Sequence, residues 1–179
     1  AFDITERKAH DAAVQASESR FRSLAQNIIV AIFIHSTGAF RFVNPALEAL
    51  LNYSATELLS MTVWDIIHPD FLDMVRERAG ARQRGETAPP RYELQIVTRN
   101  GDTRWVELHA TPIEFEGEPC IAVTFVDITE RKTIEETLRV SEERFRTLVE
   151  ATIIPICIHR QGQVCFANRV VTHLSGYTE

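Results

Sequence analysis

The side chains able to do chemistry are scattered along the chain rather than clustered. Cys120, Cys157 and Cys165 stand far apart with no C-x-x-C spacing. Neither a disulfide framework nor a zinc site is expected, and all three read as small hydrophobes on strands in a reducing compartment. The carboxylates Glu57, Asp65, Asp70 and Asp73 are each accounted for as helix caps or helix-surface charges. The sequence contains no Gly-rich phosphate loop, no nucleophile elbow and no metal-ligand cluster. No catalytic residue and no metal ligand is assigned, and the chain is expected not to be an enzyme.

Composition narrows the class further. A hydrophobic share of 45% and a charged share of 25% are those of a soluble globular protein. The net charge of -6 argues against a nucleic-acid partner, which would need clustered Lys and Arg. The longest apolar run, residues 28–34, falls well short of the roughly 20 residues a membrane-spanning helix needs. With no signal-like segment at its start, the fragment is expected to be cytoplasmic, whether or not a parent protein is membrane-anchored elsewhere.

The main organisational signal is a repeat. Asp3-Ile4-Thr5-Glu6-Arg7-Lys8 recurs unchanged as Asp127-Ile128-Thr129-Glu130-Arg131-Lys132, an offset of 124. The same offset pairs Arg20-Phe21-Arg22 with Arg144-Phe145-Arg146, Ile32 with Ile156, His35 with His159, Gly38 with Gly162 and Asn44 with Asn168. Of the 55 overlapping positions, 21 match without a gap, against roughly one in fifteen for unrelated segments. A period of this length is a domain, not a solenoid unit. The division is therefore a tail of a preceding copy (1–8), a linker helix (9–26), one complete copy (27–132), a second linker helix (133–150) and the start of a following copy (151–179). Lacking most of its own partners, the last segment is expected to be poorly ordered or to dock on another surface.

Residues 5–26 read as a helix in which His10, Val14, Ser17, Phe21 and Leu24 form a heptad-spaced seam. Ile134, Leu138, Ser141, Phe145 and Leu148 repeat it in phase. Such a seam calls for a partner helix, and a parallel homodimer through the linker helices is expected. Between the linkers, residues 29–35 and 40–44 read as a hairpin turned at Ser36-Thr37-Gly38. His35, at the end of the first strand, is assigned a surface or capping role. Asn44 and Ser54 are placed as N-caps of short helices, and Asp70 as the N-cap of a longer one over 71–84. Strands follow over 91–98, 103–112 and 120–126, with turns at Asn100-Gly101 and Glu116-Gly117. Strand pairs around a cluster of short helices make an α+β fold.

These residues resemble the PAS family, in the sensory-box form with its PAC-type exit motif. The resemblance rests on Phe42-Val43-Asn44-Pro45-Ala46, on Tyr53-Ser54 with Glu57-Leu58, and on Ile67-His68-Pro69-Asp70. It is completed by Asn100-Gly101 before Arg104-Trp105-Val106, and by the repeated Asp127–Lys132 hexapeptide. Asn52 stands where the family has Gly, and Phe71 where it has a second Asp. The resemblance implies a five-stranded antiparallel sheet of order 2-1-5-4-3, with short helices enclosing a pocket over one face and amphipathic signalling helices on either side.

The resemblance also implies a function. Such a module belongs to a multi-domain bacterial regulator, a two-component histidine kinase or a diguanylate cyclase, and relays a signal through its last strand into a coiled-coil helix. Asp127, Ile128, Thr129 and Arg131 are then the relay residues, and the partners are adjacent PAS domains and a downstream output domain. Haem is disfavoured, because no histidine falls within residues 71–84 where the family's ligand would lie. Flavin is disfavoured because the cysteine-bearing helix motif is absent, with Pro45-Ala46-Leu47 in its place. A small organic ligand or none remains, with Ile32, Phe42, Trp64, Ile67, Tyr92, Leu94, Trp105, Leu108 and Val123 as pocket candidates, core packing of all nine being the competing reading. The alternative reading is a ligand-free dimerisation and relay module.

Overall fold

The computed structural model describes residues 30–176, which fall into two compact units meeting at Thr129 and Glu130. The linker helix assigned to 9–26, with His10, Val14, Ser17, Phe21 and Leu24, lies outside the described residues, as does the 1–8 tail.

The first unit is an antiparallel sheet of order β2-β1-β5-β4-β3, as the resemblance implies. Its strands are β1 (Ala31–Ser36), β2 (Ala39–Val43), β3 (Arg91–Val97), β4 (Thr103–Phe115) and β5 (Glu118–Asp127). β5 is central, which explains its near-continuous apolar sequence. The β1–β2 and β4–β5 hairpins turn on Thr37-Gly38 and Glu116-Gly117, with both residues of each pair at positive φ. That is the turn whose twist matches the strands it joins.

Between β2 and β3 lie α1 (Pro45–Leu51), α2 (Ala55–Ser60), a 3-10 turn (Val63–Ile66) and α3 (Pro69–Gln83). Asn44 caps α1 by accepting the Leu47 N–H, and Ser54 and Glu57 form a reciprocal capping box on α2. The cap of α3 differs from the expected Asp70. His68 is the N-cap, its Nδ1 accepting the Asp70 N–H, and Asp70 sits in the first turn. Pro69 is the reason: its fixed φ and missing N–H suit the first helical position, which moves the cap one residue before it.

This helical segment is stitched to both edges of the sheet. Val63 donates to the Gly38 carbonyl beside β2, and His68 donates to the Gln95 carbonyl of β3. Residues 63–68 therefore span the sheet from one edge strand to the other, satisfying exposed edges as they go. Beneath them Phe33 packs edge-on against Phe40 and Phe125, at 5.3 and 5.1 Å between ring centroids. Leu47, Leu51, Leu58, Ile66 and Val75 close the core from the helical side. Each such buried side chain contributes about 2 kcal/mol.

The second unit contains α4 (Thr129–Ala151), a hairpin of β6 (Cys157–Arg160) and β7 (Gln163–Ala167), and α5 (Arg169–Ser175). This start of a copy, expected to be poorly ordered or to dock on another surface, has local structure that reproduces the first copy's opening in detail. Gln161-Gly162 makes the same turn, and the register slips at Ile158/His159 just as it does at Ile34/His35. The local hydrogen bonds that organise a copy's first hairpin are complete without the rest of the sheet.

Candidate functional site: the sheet face and the exit of β5

Recesses formed by the described residues bear on the sheet. An inner cavity of about 30 Å³ lies between the sheet and the helices, lined by side chains that include Phe33, His35, Arg82 and Phe125. That is room for one or two waters and for no organic molecule. An outer cleft of about 300 Å³ opens at the rim, shared among β1, α3 and the β4–β5 hairpin, with His35, Arg82 and Ile121 common to both recesses.

Five of the pocket candidates, Trp64, Ile67, Tyr92, Leu108 and Val123, line the inner cavity. Leu94 lies on the same face but is sealed in the core away from it. The other three point to the opposite face. Ile32 pairs with Thr124 and alternates with the buried Phe33. Trp105 pairs with Gln95, alternates with the buried Val106, and packs edge-on against Phe71 with centroids 5.7 Å apart. Its neighbour Arg104 is engaged with Asp127 at 3.1 Å. Phe42 is turned outward by a β-bulge. Phe40 and Phe42 share a parity in sequence, but Arg41 is the extra residue where Ile34 pairs with Phe42 and His35 with Phe40.

His35 departs from its expected surface role. It is 5% exposed, and its Nδ1 is buried with no hydrogen-bond partner. Burial, with the Arg82 guanidinium adding to it, pushes the imidazole down to about 4, so it is neutral at pH 7. Arg82 and Arg78 are cations that the sequence reading did not find. They stand one helical turn apart on α3, with guanidinium carbons 5.7 and 4.2 Å from the Tyr92 ring. Their i, i+4 spacing was the available signal, but which face of α3 is covered is decided by the sheet.

The exit of β5 is a compact hydrogen-bonded joint. The Ile128 N–H donates to the Trp105 carbonyl at 2.9 Å, and the Trp105 N–H donates to Thr129 Oγ1 at 3.0 Å. The Thr129 N–H donates to Asp127 Oδ1 at 2.9 Å, and Arg104 donates to Asp127 Oδ2 at 3.1 Å. Partial burial works to raise the Asp127 carboxyl, but the bonds from Thr129 and Arg104 outweigh it and hold it below the usual carboxylate range. One buried residue, Ile128, separates the last strand from the first residue of α4. Arg131 lies in the first turn of α4, 3.9 Å from Glu135.

Along α4 the seam residues Ile134, Leu138, Phe145 and Leu148 are 53–72% exposed. Arg139 beside them bonds to Glu136 and Glu143 at 2.6 Å each, which holds its guanidinium well above its usual range. No helix among the described residues is long and apolar enough to cross a membrane, and no group of three or more metal-ligating side chains occurs among them.

A family model described as the PAS fold matches residues 40–126, and one described as a PAS domain matches residues 143–179. Sporulation kinase A of Bacillus subtilis is 29% identical over 142 residues, which is 79% of this chain and 23% of that protein. The methyl sulfide methyltransferase-associated sensor of Methanosarcina acetivorans is 30% identical over 141 residues, 77% of this chain and 14% of that protein. The chain thus spans less than a quarter of these relatives. A solved domain of a sensory box sensor histidine kinase/response regulator from Geobacter sulfurreducens is 28% identical with a TM-score of 0.52, covering 64% of this chain and 96% of that one.

Proposed function

Because the chain belongs to the PAS family, as a signalling sensor module, we propose that it works by passing movement of β5 into α4 within a larger regulator. The observation that supports this most directly is the joint at Asp127-Ile128-Thr129, which ties the start of α4 to the backbone of β4. A displacement of β5 against β4 strains these bonds, so it must be absorbed by the helix that begins there. The output is a histidine kinase or a diguanylate cyclase. The names of the relatives, a sporulation kinase and a sensor among them, favour the kinase. The module is regulatory, not catalytic, and works in the cytoplasm.

The exposed seam of α4 supports a parallel homodimer through this helix. Four large apolar side chains at heptad spacing stand uncovered on a helix whose other surface is charged. Adjacent PAS copies and a downstream output domain complete the assembly. The inner cavity, at about 30 Å³, supports a relay whose core is filled by its own side chains, with neither haem nor flavin.

The test is the output of the full-length regulator carrying this segment. Asp127→Ala and Thr129→Ala are expected to uncouple stimulus from autophosphorylation or cyclase activity while leaving the fold intact. Stimulated and unstimulated output equal to wild type in both variants overturns the reading.

A further inference from the structure

We propose that the outer cleft, where Arg82, Gln83 and Ser36 converge beside Ile113 and Ile121, binds a small organic carboxylate. This rests on the sensor reading and names the chemical class sensed.

The cleft's volume of about 300 Å³ lies at the lower end of small-molecule sites. Its lining holds one cation and no carboxylate, and Pro112, Ile113, Pro119 and Ile121 supply an apolar wall. Arg82 pairs with no acidic group among the described residues; its Nη2 donates to the Pro89 carbonyl. A guanidinium carries five donors in a planar fork, so capacity for a bidentate carboxylate is left over. Tyr92 holds that fork in place from below, and Arg78 lies over the same ring with its Nη1 buried and unpartnered. An arginine already stacked on an aromatic loses less freedom when it binds an anion.

His35 adds an independent pointer. It lines the same cleft, is more than nine-tenths buried, and has a ring nitrogen without a partner. A buried polar atom left unpaired carries a desolvation cost, which a hydroxyl or other polar group on the ligand offsets. One cation, a short apolar wall and a neutral imidazole fit a carboxylate with a few carbons. A doubly charged phosphate would find too few donors. Ile113, Cys120 and Ile121 of the cleft wall belong to β4 and β5, so occupancy bears on the strands that lead to the α4 joint.

The 179-residue chain is titrated calorimetrically with sodium butyrate, sodium 2-hydroxybutyrate, neutral butyramide and inorganic phosphate. Saturable binding of at least one carboxylate is expected, with a Kd between about 10 µM and 1 mM and none for butyramide. Arg82→Gln is expected to weaken it about tenfold or more, and Arg41→Gln, at a surface cation paired with Glu118, to leave it unchanged. Amide NMR shifts in the wild-type chain are expected to centre on Ser36, Thr37, Ile113 and Ile121, a readout independent of whether the Arg82 variant folds. The proposal is overturned by absence of saturable binding up to about 10 mM, by butyramide or phosphate binding as tightly, or by shifts centred elsewhere. Should the carboxylates fail while Asp127→Ala still uncouples output, the relay stands and only the ligand assignment falls.

Discussion

Thr129 Oγ1 accepts the backbone N–H of Trp105 at 3.0 Å, so the first residue of α4 is hydrogen-bonded to the backbone at the start of β4. The bond is made by a side chain on one side and a backbone on the other. It can therefore be removed without touching the strand pairing.

Thr129→Val keeps the shape of the side chain and deletes that acceptor. A loss of about 1–2 kcal/mol is expected from the stranded Trp105 N–H, read by urea denaturation. Faster hydrogen exchange should be confined to Trp105, Ile128 and the first turn of α4. Uniform acceleration across all five strands would show that Thr129 serves the fold at large rather than this joint.

Asn44 clasps the opening hairpin. Its Oδ1 accepts the Ile32 and Leu47 N–H groups at 2.9 and 3.0 Å, and its Nδ2 donates to the Val30 carbonyl at 3.0 Å. Asn168 repeats the pattern with Ile156, Val171 and Ile154, and donates in addition to the Val149 carbonyl near the end of α4. Asn44→Ala is expected to destabilise the first unit by about 2–4 kcal/mol, measured as a drop in denaturation midpoint. Asn168→Ala should leave that midpoint alone and abolish exchange protection of the Ile156 amide. A shift below about 0.5 kcal/mol for Asn44→Ala would contradict the clasp.

The buried neutral His35 makes stability depend on pH in one direction. Its pKa is about 4 in the fold against 6.5 in an ordinary setting, so between those values the unfolded chain binds the extra proton. Stability is fully present above about pH 6.5 and is lost as pH falls toward 4, by up to about 3 kcal/mol. In His35→Phe this segment of the pH–stability curve should flatten. An unchanged slope between pH 4 and 6.5 in the variant would remove His35 as its source.

The seam of α4 predicts self-association. Leu138→Asp places a charge at 58% exposed apolar surface that a partner helix would cover, so the wild-type chain should sediment as a dimer at about 100 µM and the variant as a monomer. Because Leu138 touches no buried core, the melting of the first unit should be unaffected. A monomeric wild type at that concentration would refute the dimer.

Sequence alone determined the elements that depend on neighbours within a few residues. The hexapeptide repeat, the Asn44 and Ser54 caps and the Thr37-Gly38 and Glu116-Gly117 turns follow from local backbone chemistry, and strand order came with the family resemblance they carry. Tertiary structure alone decided which face each side chain serves. The bulge at Arg41 sends Phe42 to the opposite face from Phe40, because one extra residue reverses a period of two. Likewise His35 becomes a buried neutral base, and Arg82 the cation of a cleft, only once α3 lies across the end of β1. Burial and electrostatic environment are set by groups distant in sequence, and no local pattern encodes them.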